Sequence, residues 1–348
     1  MNNNLLNWQV HTGFNCYIDI HPACNASCPF CIAPTRGRKS GPQFFDGMKF
    51  ALDFTEKING TIQIVGGEPL ISKRLIPLLE MVSHYGIRRT VLNTNGSYLS
   101  DSIIDKFLDA GVTHVNISRH HYDESSNQEI MEIRPEIGND KLAKSISSII
   151  KSGISLRLQC NLIKGHIDSV DKMIAYLDWC NKLGVERVSF SQVFLLGLFD
   201  YSVFSNDYTR QVQVDLQSIV KEMDYNPQFI SIPGPPDEMN SHGGTSTSAW
   251  GSYKRRFWRY HDSMDLSVKT FSGYHSDGLP RETMYVKSLD PELQDGLISF
   301  AVVHADGLVT ASWDRRERIL FDPNQFGLSA LTSNTKSPKN SLVHVLQT

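Results

Sequence analysis

The chain has 348 residues, of which 40% are hydrophobic and 20% charged, and its formal net charge is −3. This length can bury a complete core, and the charge balance disfavours nucleic acid or an anionic membrane as a partner. The N-terminal residues resemble no signal peptide, and no apolar run reaches the roughly 18 residues of a membrane span. We therefore expect a cytoplasmic protein.

Short β-branched runs alternate with helix-like stretches in the first half of the chain. Candidate strands occupy residues 16–20, 61–65, 89–93, 114–118, 155–161 and 187–192. Amphipathic segments occupy residues 73–85, 102–110, 141–151 and 169–183, and glycines suited to helix ends follow several helix-like segments: Gly60, Gly86, Gly111, Gly153 and Gly184. Repeated strand–helix units predict a parallel sheet, and these six are fewer than the eight of a full barrel. We expect an α/β fold with a partial (β/α)6 TIM barrel and ligands at the carboxyl ends of its strands.

The alternation of strand-like and helix-like segments stops near residue 200. Together with the short stretch before the first strand, this predicts three parts of the chain. They are an N-terminal extension (1–13), the barrel core (14–198) and a C-terminal extension that covers the substrate (199–348). In the extension, residues 231–251 predict a long loop and residues 332–339 predict weak order. The turn sequence Ala305-Asp306-Gly307 between two apolar runs predicts a β-hairpin.

Three of the six cysteines, Cys24, Cys28 and Cys31, follow the first candidate strand with the spacing C-x3-C-x2-C. Thiolates suit iron–sulfur clusters, and three of them bind three irons of a cubane while the fourth iron stays open to a ligand. One alternative is a zinc site completed by His21. A second alternative is a non-catalytic scaffold that binds iron–sulfur or zinc.

With Phe30 before the last cysteine, the motif resembles the C-x3-C-x-Φ-C signature of the radical S-adenosylmethionine (SAM) superfamily. The resemblance implies an enzyme whose single [4Fe–4S] cluster binds SAM at the open iron. It also implies an external electron donor of the flavodoxin or ferredoxin kind. Reductive cleavage of SAM would then give a 5′-deoxyadenosyl radical that abstracts hydrogen from substrate.

A second match to the family follows the strand at 61–65. Gly66-Gly67-Glu68-Pro69 resembles the GGEP motif, and the resemblance implies that its backbone and Glu68 contact the amino group of SAM. Glycines permit close backbone approach, and a carboxylate can accept from an ammonium group. A plain turn at the strand end is the alternative.

Further matches to the family lie at later strand ends. Asn95 belongs to a polar Asn-Thr-Asn-Gly sequence near the expected cofactor, and a turn is its alternative. Ser118 and Arg119 end the fourth strand, where the family places groups that contact the SAM ribose or carboxylate. Arg119 departs from the Leu-Asp pair of many relatives, which leaves its role open. Residues 191–197 correspond to the region that supports the adenine.

Substrate-side candidates come from the fifth strand and its neighbours. Arg157 could bind the SAM carboxylate or a substrate anion, or form a structural ion pair. Cys160 could return hydrogen to a substrate radical, although a buried cysteine is the simpler interpretation. Residues 120–122 could supply acid–base histidines or a solvated loop. Residues 253–260 could bind a nucleotide or phosphate, or form an amphipathic helix with a basic outer face.

Together these patterns predict a radical SAM enzyme acting on a small polar molecule in natural-product or cofactor biosynthesis. Epimerisation, dehydrogenation, decarboxylation and rearrangement all remain open. The core resembles the molybdenum-cofactor-biosynthesis-like branch of the family. Because no cysteine follows Cys180, a Cys-rich C-terminal domain for auxiliary clusters is not expected. Modification of a peptide or an RNA is the alternative activity.

Overall fold

A computed structural model describes residues 9–31, 40–193, 206–233, 246–248, 251–261, 263–271, 297–311 and 319–326. Its strands are β1 (Gln9–Asp19), β2 (Thr61–Val65), β3 (Arg89–Thr94), β4 (His114–Ser118), β5 (Ser155–Leu162), β6 (Arg187–Gln192), β7 (Phe229–Ile232), β8 (Ser246–Ser248), β9 (Gly251–Tyr260), β10 (Met264–Phe271), β11 (Leu297–Val303), β12 (Val309–Thr310) and β13 (Ile319–Phe321). Its helices are α1 (Phe44–Lys57), α2 (Leu75–Ser83), α3 (Asp101–Asp109), α4 (Glu124–Met131), α5 (Asn139–Lys151), α6 (Val170–Lys182), α7 (Asn206–Gln211), α8 (Leu216–Tyr225) and α9 (Pro323–Phe326).

All described strands belong to one sheet, in the order β13-β12-β11-β1-β2-β3-β4-β5-β6-β10-β9-β7, with β8 paired to β9. Strands β1 to β6 are parallel neighbours in chain order, and each is followed by at least one helix. The α/β partial TIM barrel expected from the sequence is therefore confirmed. The carboxyl ends of these strands meet at one edge, where the candidate site lies.

Two C-terminal strands extend the parallel part of the sheet, which the sequence did not predict. Strand β11 pairs in parallel with β1, and β10 pairs in parallel with β6. Eight neighbouring strands (β11, β1–β6 and β10) thus share one direction. The predicted C-terminal extension contributes both edges of this parallel region.

The two faces of the parallel sheet differ in chemistry. Along β5, Leu156, Leu158 and Cys160 are buried, whereas Arg157 and Gln159 are half-buried. The apolar face packs against the helices, which bury their own apolar stripes, for example Leu142, Ile146 and Ile149 of α5. The opposite face is the interior of the partial barrel and carries polar side chains.

Several local expectations can be compared with the structure. The hairpin is confirmed, since β11 and β12 are antiparallel around a turn in which Gly307 has φ 93°. Helix α4 was not among the predicted segments, and of α1 only the end at Gly60 was predicted. At the end of α1 the left-handed residue is Asn59 (φ 52°) rather than the expected Gly60. Short polar side chains tolerate this conformation, so glycine is not required there.

The basic aromatic segment at 253–260 is strand β9, so the expected amphipathic helix is wrong. Antiparallel pairing with β10 and β7 satisfies its backbone, and this tertiary pairing overrides the helical pattern. The predicted loop at 231–251 contains strand at both of its described ends, and the stretches at 194–205, 312–318 and 327–348 lie outside the described residues. Among the described helices, none is long and apolar enough to cross a membrane.

Candidate functional site

The cysteine segment (residues 21–31) lies at the carboxyl end of β1. Cys24 is exposed, and Cys28 and Cys31 are half-buried. Burial raises the pKa of the Cys28 thiol, and the nearby Cys31 and Cys24 raise it further. Burial is also the main cause of the raised pKa of Cys24. Each thiolate would make ionisation of its neighbours less favourable. Positively charged irons of a cluster would stabilise the three thiolates together, so the three cysteines fit such a centre.

The glycines of the GGEP motif place its backbone directly against the cysteine segment. The Gly67 amide donates to His21 O at 2.9 Å, and the Glu68 amide donates to Ala23 O at 3.0 Å. A Cβ on Gly67 would lie 1.8 Å from Ala23 O, which no side chain can occupy. Gly66 has φ 129°, a conformation that other residues rarely adopt. The motif therefore holds the cysteine segment in place.

Glu68 is a buried structural carboxylate. Its Oε1 accepts from Thr94 Oγ1 at 2.6 Å and from the Leu70 amide at 3.0 Å. Its Oε2 accepts from the Asn95 amide at 2.7 Å. Burial raises its pKa, and these three hydrogen bonds act in the opposite direction. Glu68 is only 1% exposed, and this burial counts against its expected contact with the SAM amino group. Pro69 opens the short 3-10 turn that follows.

His21 does not serve as a metal ligand in this arrangement. Its Nδ1 accepts from the Ala23 amide at 2.9 Å, so its Nε2 carries the proton and donates to Glu68 O at 3.1 Å. Burial lowers its pKa, which favours this neutral form. Both ring nitrogens thus have protein partners, one in the segment and one at Glu68, which counts against the zinc alternative. In the described ranges, no three His, Cys, Asp or Glu side chains converge on one metal position.

The end of β3 holds the middle of the cysteine segment. Asn95 Nδ2 donates to Asn25 Oδ1 at 2.8 Å, and Asn25 Nδ2 donates to Ser97 Oγ at 2.9 Å. On the other side, the Arg134 amide donates to Asn25 O at 2.7 Å. Asn95 is buried, so the structure gives it a direct role in shaping the segment.

Of the two residues expected at the end of β4, one faces the interior and the other does not. Ser118 is half-buried in register with Gln159, on the same face as Asn116. Arg119 is 2% exposed; its Nε donates to His121 O at 3.0 Å, and its side chain also bonds Asn139. These contacts count against the expected contact of Arg119 with the SAM ribose or carboxylate. The Arg119 amide still bonds Gln159 O at 2.9 Å, and alternation along the strand places the side chain after Ser118 on the helix side.

Cys160 also lies on the helix side of the sheet. It is 1% exposed, and its Sγ donates to His120 O at 3.5 Å. Burial raises its pKa well above the usual value. The thiol therefore faces the helix layer rather than the barrel interior, which counts against the hydrogen-donor hypothesis. Cys180 of α6 is buried in the same layer, as expected.

The histidines after β4 take different positions. His120 is buried; its Nδ1 accepts from the Asn161 amide at 2.9 Å, and burial lowers its pKa to about 3. It packs beside Phe30, which is also buried. His121 is half-buried, and its ring lies 6.0 Å from that of His166. His120 and His121 therefore do not form a pair of exposed acid–base groups.

Five interior side chains form a hydrogen-bonded polar belt across β1 to β5, which the sequence analysis missed. Arg157 Nε donates to Asn116 Oδ1 at 3.1 Å, and Asn116 Nδ2 donates to Asn93 Oδ1 at 2.9 Å. Asn93 Nδ2 donates to Gln63 Oε1 at 3.4 Å, and Gln63 Nε2 donates to Asn15 Oδ1 at 3.3 Å. Alternation of these residues with apolar ones in each strand was the signal that could have found it.

In the basic aromatic strand β9, the described side chains bind within the protein. Arg256 contacts both carboxylate oxygens of Asp224 at 2.6 and 2.7 Å, and Trp258 Nε1 donates to the same group at 3.2 Å. Tyr260 donates to Asp178 at 2.8 Å. These contacts dock β9 on α8 and α6. The side chains of residues 253–255 lie outside the described part.

The site thus has a cysteine segment, a glycine-rich support and a polar interior at the mouth of a partial barrel. Residues 18–200, more than half of the chain, match the family model of the radical SAM superfamily. The chain belongs to this superfamily and is an enzyme of the radical SAM type. Enzymes of the family use a [4Fe–4S] cluster and SAM.

Among curated relatives, the chain is 26% identical over 179 residues to a probable GTP 3′,8-cyclase of Sulfurisphaera tokodaii, which covers 50% of this chain and 54% of that protein. It is 25% identical over 174 residues to the GTP 3′,8-cyclase of Aliarcobacter butzleri, covering 48% and 51%. The chain therefore spans about half the length of these relatives.

Among solved structures, Streptococcus suis SuiB bound to the precursor peptide SuiA has a TM-score of 0.56 at 16% identity, covering 93% of this chain and 68% of that one. SuiB bound to S-adenosylmethionine has a TM-score of 0.54 at 16% identity, with 86% and 61% covered. These likenesses concern the fold.

Proposed function

We propose that Cys24, Cys28 and Cys31 bind a [4Fe–4S] cluster and that the enzyme acts on a small polar substrate held in the barrel interior. With the cluster and SAM bound, one-electron cleavage of SAM supplies a 5′-deoxyadenosyl radical for hydrogen abstraction. The arrangement of the cysteine segment at the carboxyl end of the parallel strands is the observation that carries the proposal. We further propose an external electron donor of the flavodoxin or ferredoxin kind and a reducing, cytoplasmic setting.

The residues around the cysteines fix the segment rather than react. Gly67, Glu68 and His21 bond its first part, while Asn95 and Arg134 bond Asn25. The thiols make weaker contacts, since Cys24 Sγ accepts from the Ala26 amide at 3.4 Å and Cys28 Sγ donates to Met131 O at 3.6 Å. Thiolates are the ligands that iron–sulfur clusters take. This support fixes the backbone that carries the three cysteines at the carboxyl ends of the parallel strands.

The polar belt supports a substrate rich in hydrogen-bond acceptors. Arg157 can only donate, so Asn116 must turn its oxygen toward it, and this choice sets the direction of each amide along the belt. The amide oxygens of Asn116, Asn93 and Gln63 already accept from belt donors. Asn93 uses both amide hydrogens, on Gln63 Oε1 and Ile64 O, whereas Asn116 and Gln63 each donate one bond within the belt. The second N–H groups of Asn116 and Gln63 are therefore the donors proposed for a ligand, and hydroxyl, carbonyl or anionic groups match them. An apolar substrate would leave them unpaired.

Cluster assembly and SAM cleavage test the proposal. After anaerobic reconstitution and chemical reduction, the wild-type chain should convert SAM to 5′-deoxyadenosine and methionine. Cys28→Ala should lose the charge-transfer absorbance and the cleavage. Cys180→Ala, which alters a buried cysteine outside the segment, should keep both. Cleavage by Cys28→Ala, or none by the wild type, would refute the proposal.

Substrate size is tested by fractionating cell extract on an ultrafiltration membrane. We expect the small-molecule filtrate to raise 5′-deoxyadenosine formation above the rate with SAM alone. Stimulation by the retained fraction alone would favour the alternative, a peptide or RNA substrate. Protease or ribonuclease treatment of that fraction separates the two.

A further inference from the structure

Arg74, at the start of α2, binds backbone carbonyls from three distant parts of the chain. Its Nη1 donates to Ala305 O at 2.6 Å and to Ile20 O at 3.3 Å, and its Nη2 donates to Gly41 O at 2.6 Å. Ile20 precedes the cysteine segment, and Gly41 is a described residue that follows it. Ala305 lies in the turn between β11 and β12.

The surroundings of Arg74 fit a fixed guanidinium. It is half-buried, and its Cζ lies 4.5 Å from the centroid of the Phe44 ring. Burial lowers its pKa and the nearby Asp306 carboxylate raises it. A planar guanidinium can serve several acceptors at once in set directions, which an ammonium group cannot do equally.

The hairpin turn is seated closely beside the same residues. The Gly41 amide donates to Ala305 O at 3.1 Å. A Cβ on Gly47 would lie 2.1 Å from Gly307 O, and a Cβ on Gly41 would lie 2.8 Å from Asp306 Cα. Because these backbones are in close contact, the position of the hairpin turn against the start of α1 is fixed.

We propose that Arg74 is a positioning residue for the cluster, which joins both sides of the cysteine segment to the turn of the C-terminal hairpin. Through it, the hairpin limits opening of the segment without contributing a ligand. This inference rests on the proposed ligand role of Cys24, Cys28 and Cys31.

Release of iron from the reconstituted full-length chain to a ferrous-iron chelator measures opening of the segment. Arg74→Met should release iron about tenfold faster or more, since the loss of one charge-assisted hydrogen bond changes an equilibrium by roughly that factor. Arg74→Lys should be intermediate. The neighbouring exposed residue gives a matched control, so Lys73→Met should release iron at the wild-type rate.

A second variant moves the turn and leaves Arg74 and the cysteines intact. Gly47→Ala should also release iron faster, whereas Gly86→Ala, where a Cβ would meet its nearest neighbour at 3.5 Å, should not. All rates of iron release are measured well below the unfolding temperature of each variant. The change that SAM causes in the electron paramagnetic resonance spectrum is recorded for each variant as a second readout.

A role in general stability alone would lower the unfolding temperature of Arg74→Met and leave its iron release and SAM response unchanged; that result would overturn the inference. If Arg74→Met does not fold, the inference would be overturned by Arg74→Lys and Gly47→Ala both releasing iron at the wild-type rate. A wild-type chain that binds no cluster would instead refute the proposed function.

Discussion

The ring of Phe30 meets the imidazole of His120 edge to face, with centroids 5.0 Å apart. One ring belongs to the cysteine segment and the other to the chain directly after β4. Both are buried, so the segment is anchored to the fourth strand as well as to the second and third. His120 in turn is fixed by the Asn161 amide and by Asn127, whose Oδ1 accepts from the His120 amide at 2.8 Å.

The first prediction concerns acid stability. Burial, with the charge of Arg119, lowers the pKa of His120 from 6.5 to about 3. Between these values the unfolded chain binds a proton that the folded chain excludes, so the free energy of unfolding falls as pH falls. His21 and His121, whose pKa values are also lowered by burial, act in the same direction.

His120→Asn removes the group that takes up this proton on unfolding. The slope of the free energy of unfolding against pH should therefore decrease by up to about 1.4 kcal/mol per pH unit. Urea unfolding of both cluster-free chains between about pH 7 and pH 4 measures it. Cluster-free protein avoids a contribution from acid loss of iron. Equal slopes in the two chains would show that His120 is not kept neutral by the fold.

The second prediction concerns Glu68. In Glu68→Gln, an amide N–H would face the Asn95 amide N–H in place of Oε2, so one buried donor loses its acceptor. We expect a loss of about 2–4 kcal/mol in the free energy of unfolding and weaker SAM binding, because the ends of β2 and β3 separate. Chemical denaturation and SAM titration measure the two effects. Glu80→Gln, on the exposed side of α2, is the control, and equal behaviour of both variants would contradict the role of Glu68.

Some parts of this molecule follow from sequence because they depend on local pattern. The strands from β2 to β6 were found from β-branched runs, and the cysteine spacing with Phe30 and the GGEP sequence marked the candidate site. Strand–turn–strand chemistry also predicted the C-terminal hairpin. In each case neighbouring residues carry the information.

Other parts depend on contacts between distant residues. Arg74 binds carbonyls 33, 54 and 231 residues away, and no local pattern marks such a residue. The parallel pairing of β10 and β11 with the core is equally non-local. Arg119 was assigned to the cofactor because it follows Ser118, although alternation along the strand already places neighbouring side chains on opposite faces.

The third prediction tests the placement of Cys160. Because its thiol lies in the helix layer, Cys160→Ala should keep the rate of SAM cleavage and the response to substrate within about twofold. Removal of a buried sulfur should lower the free energy of unfolding by roughly 1–2 kcal/mol. Assays of 5′-deoxyadenosine and urea unfolding check both. Loss of substrate-dependent turnover with an intact cluster would restore the hydrogen-donor hypothesis.

The last prediction concerns Arg157, which begins the polar belt. In Arg157→Gln, the charge is lost and the direction of the amides is no longer imposed, since glutamine can both donate and accept. We expect the concentration of small-molecule filtrate for half-maximal stimulation to rise about tenfold or more, as for a lost charge-assisted hydrogen bond. The concentration of SAM for half-maximal cleavage should change less. Lys151→Gln, exposed at the end of α5, should leave both unchanged. A rise confined to the SAM requirement would assign Arg157 to the SAM carboxylate instead, and no change in either would make it a structural residue of the belt.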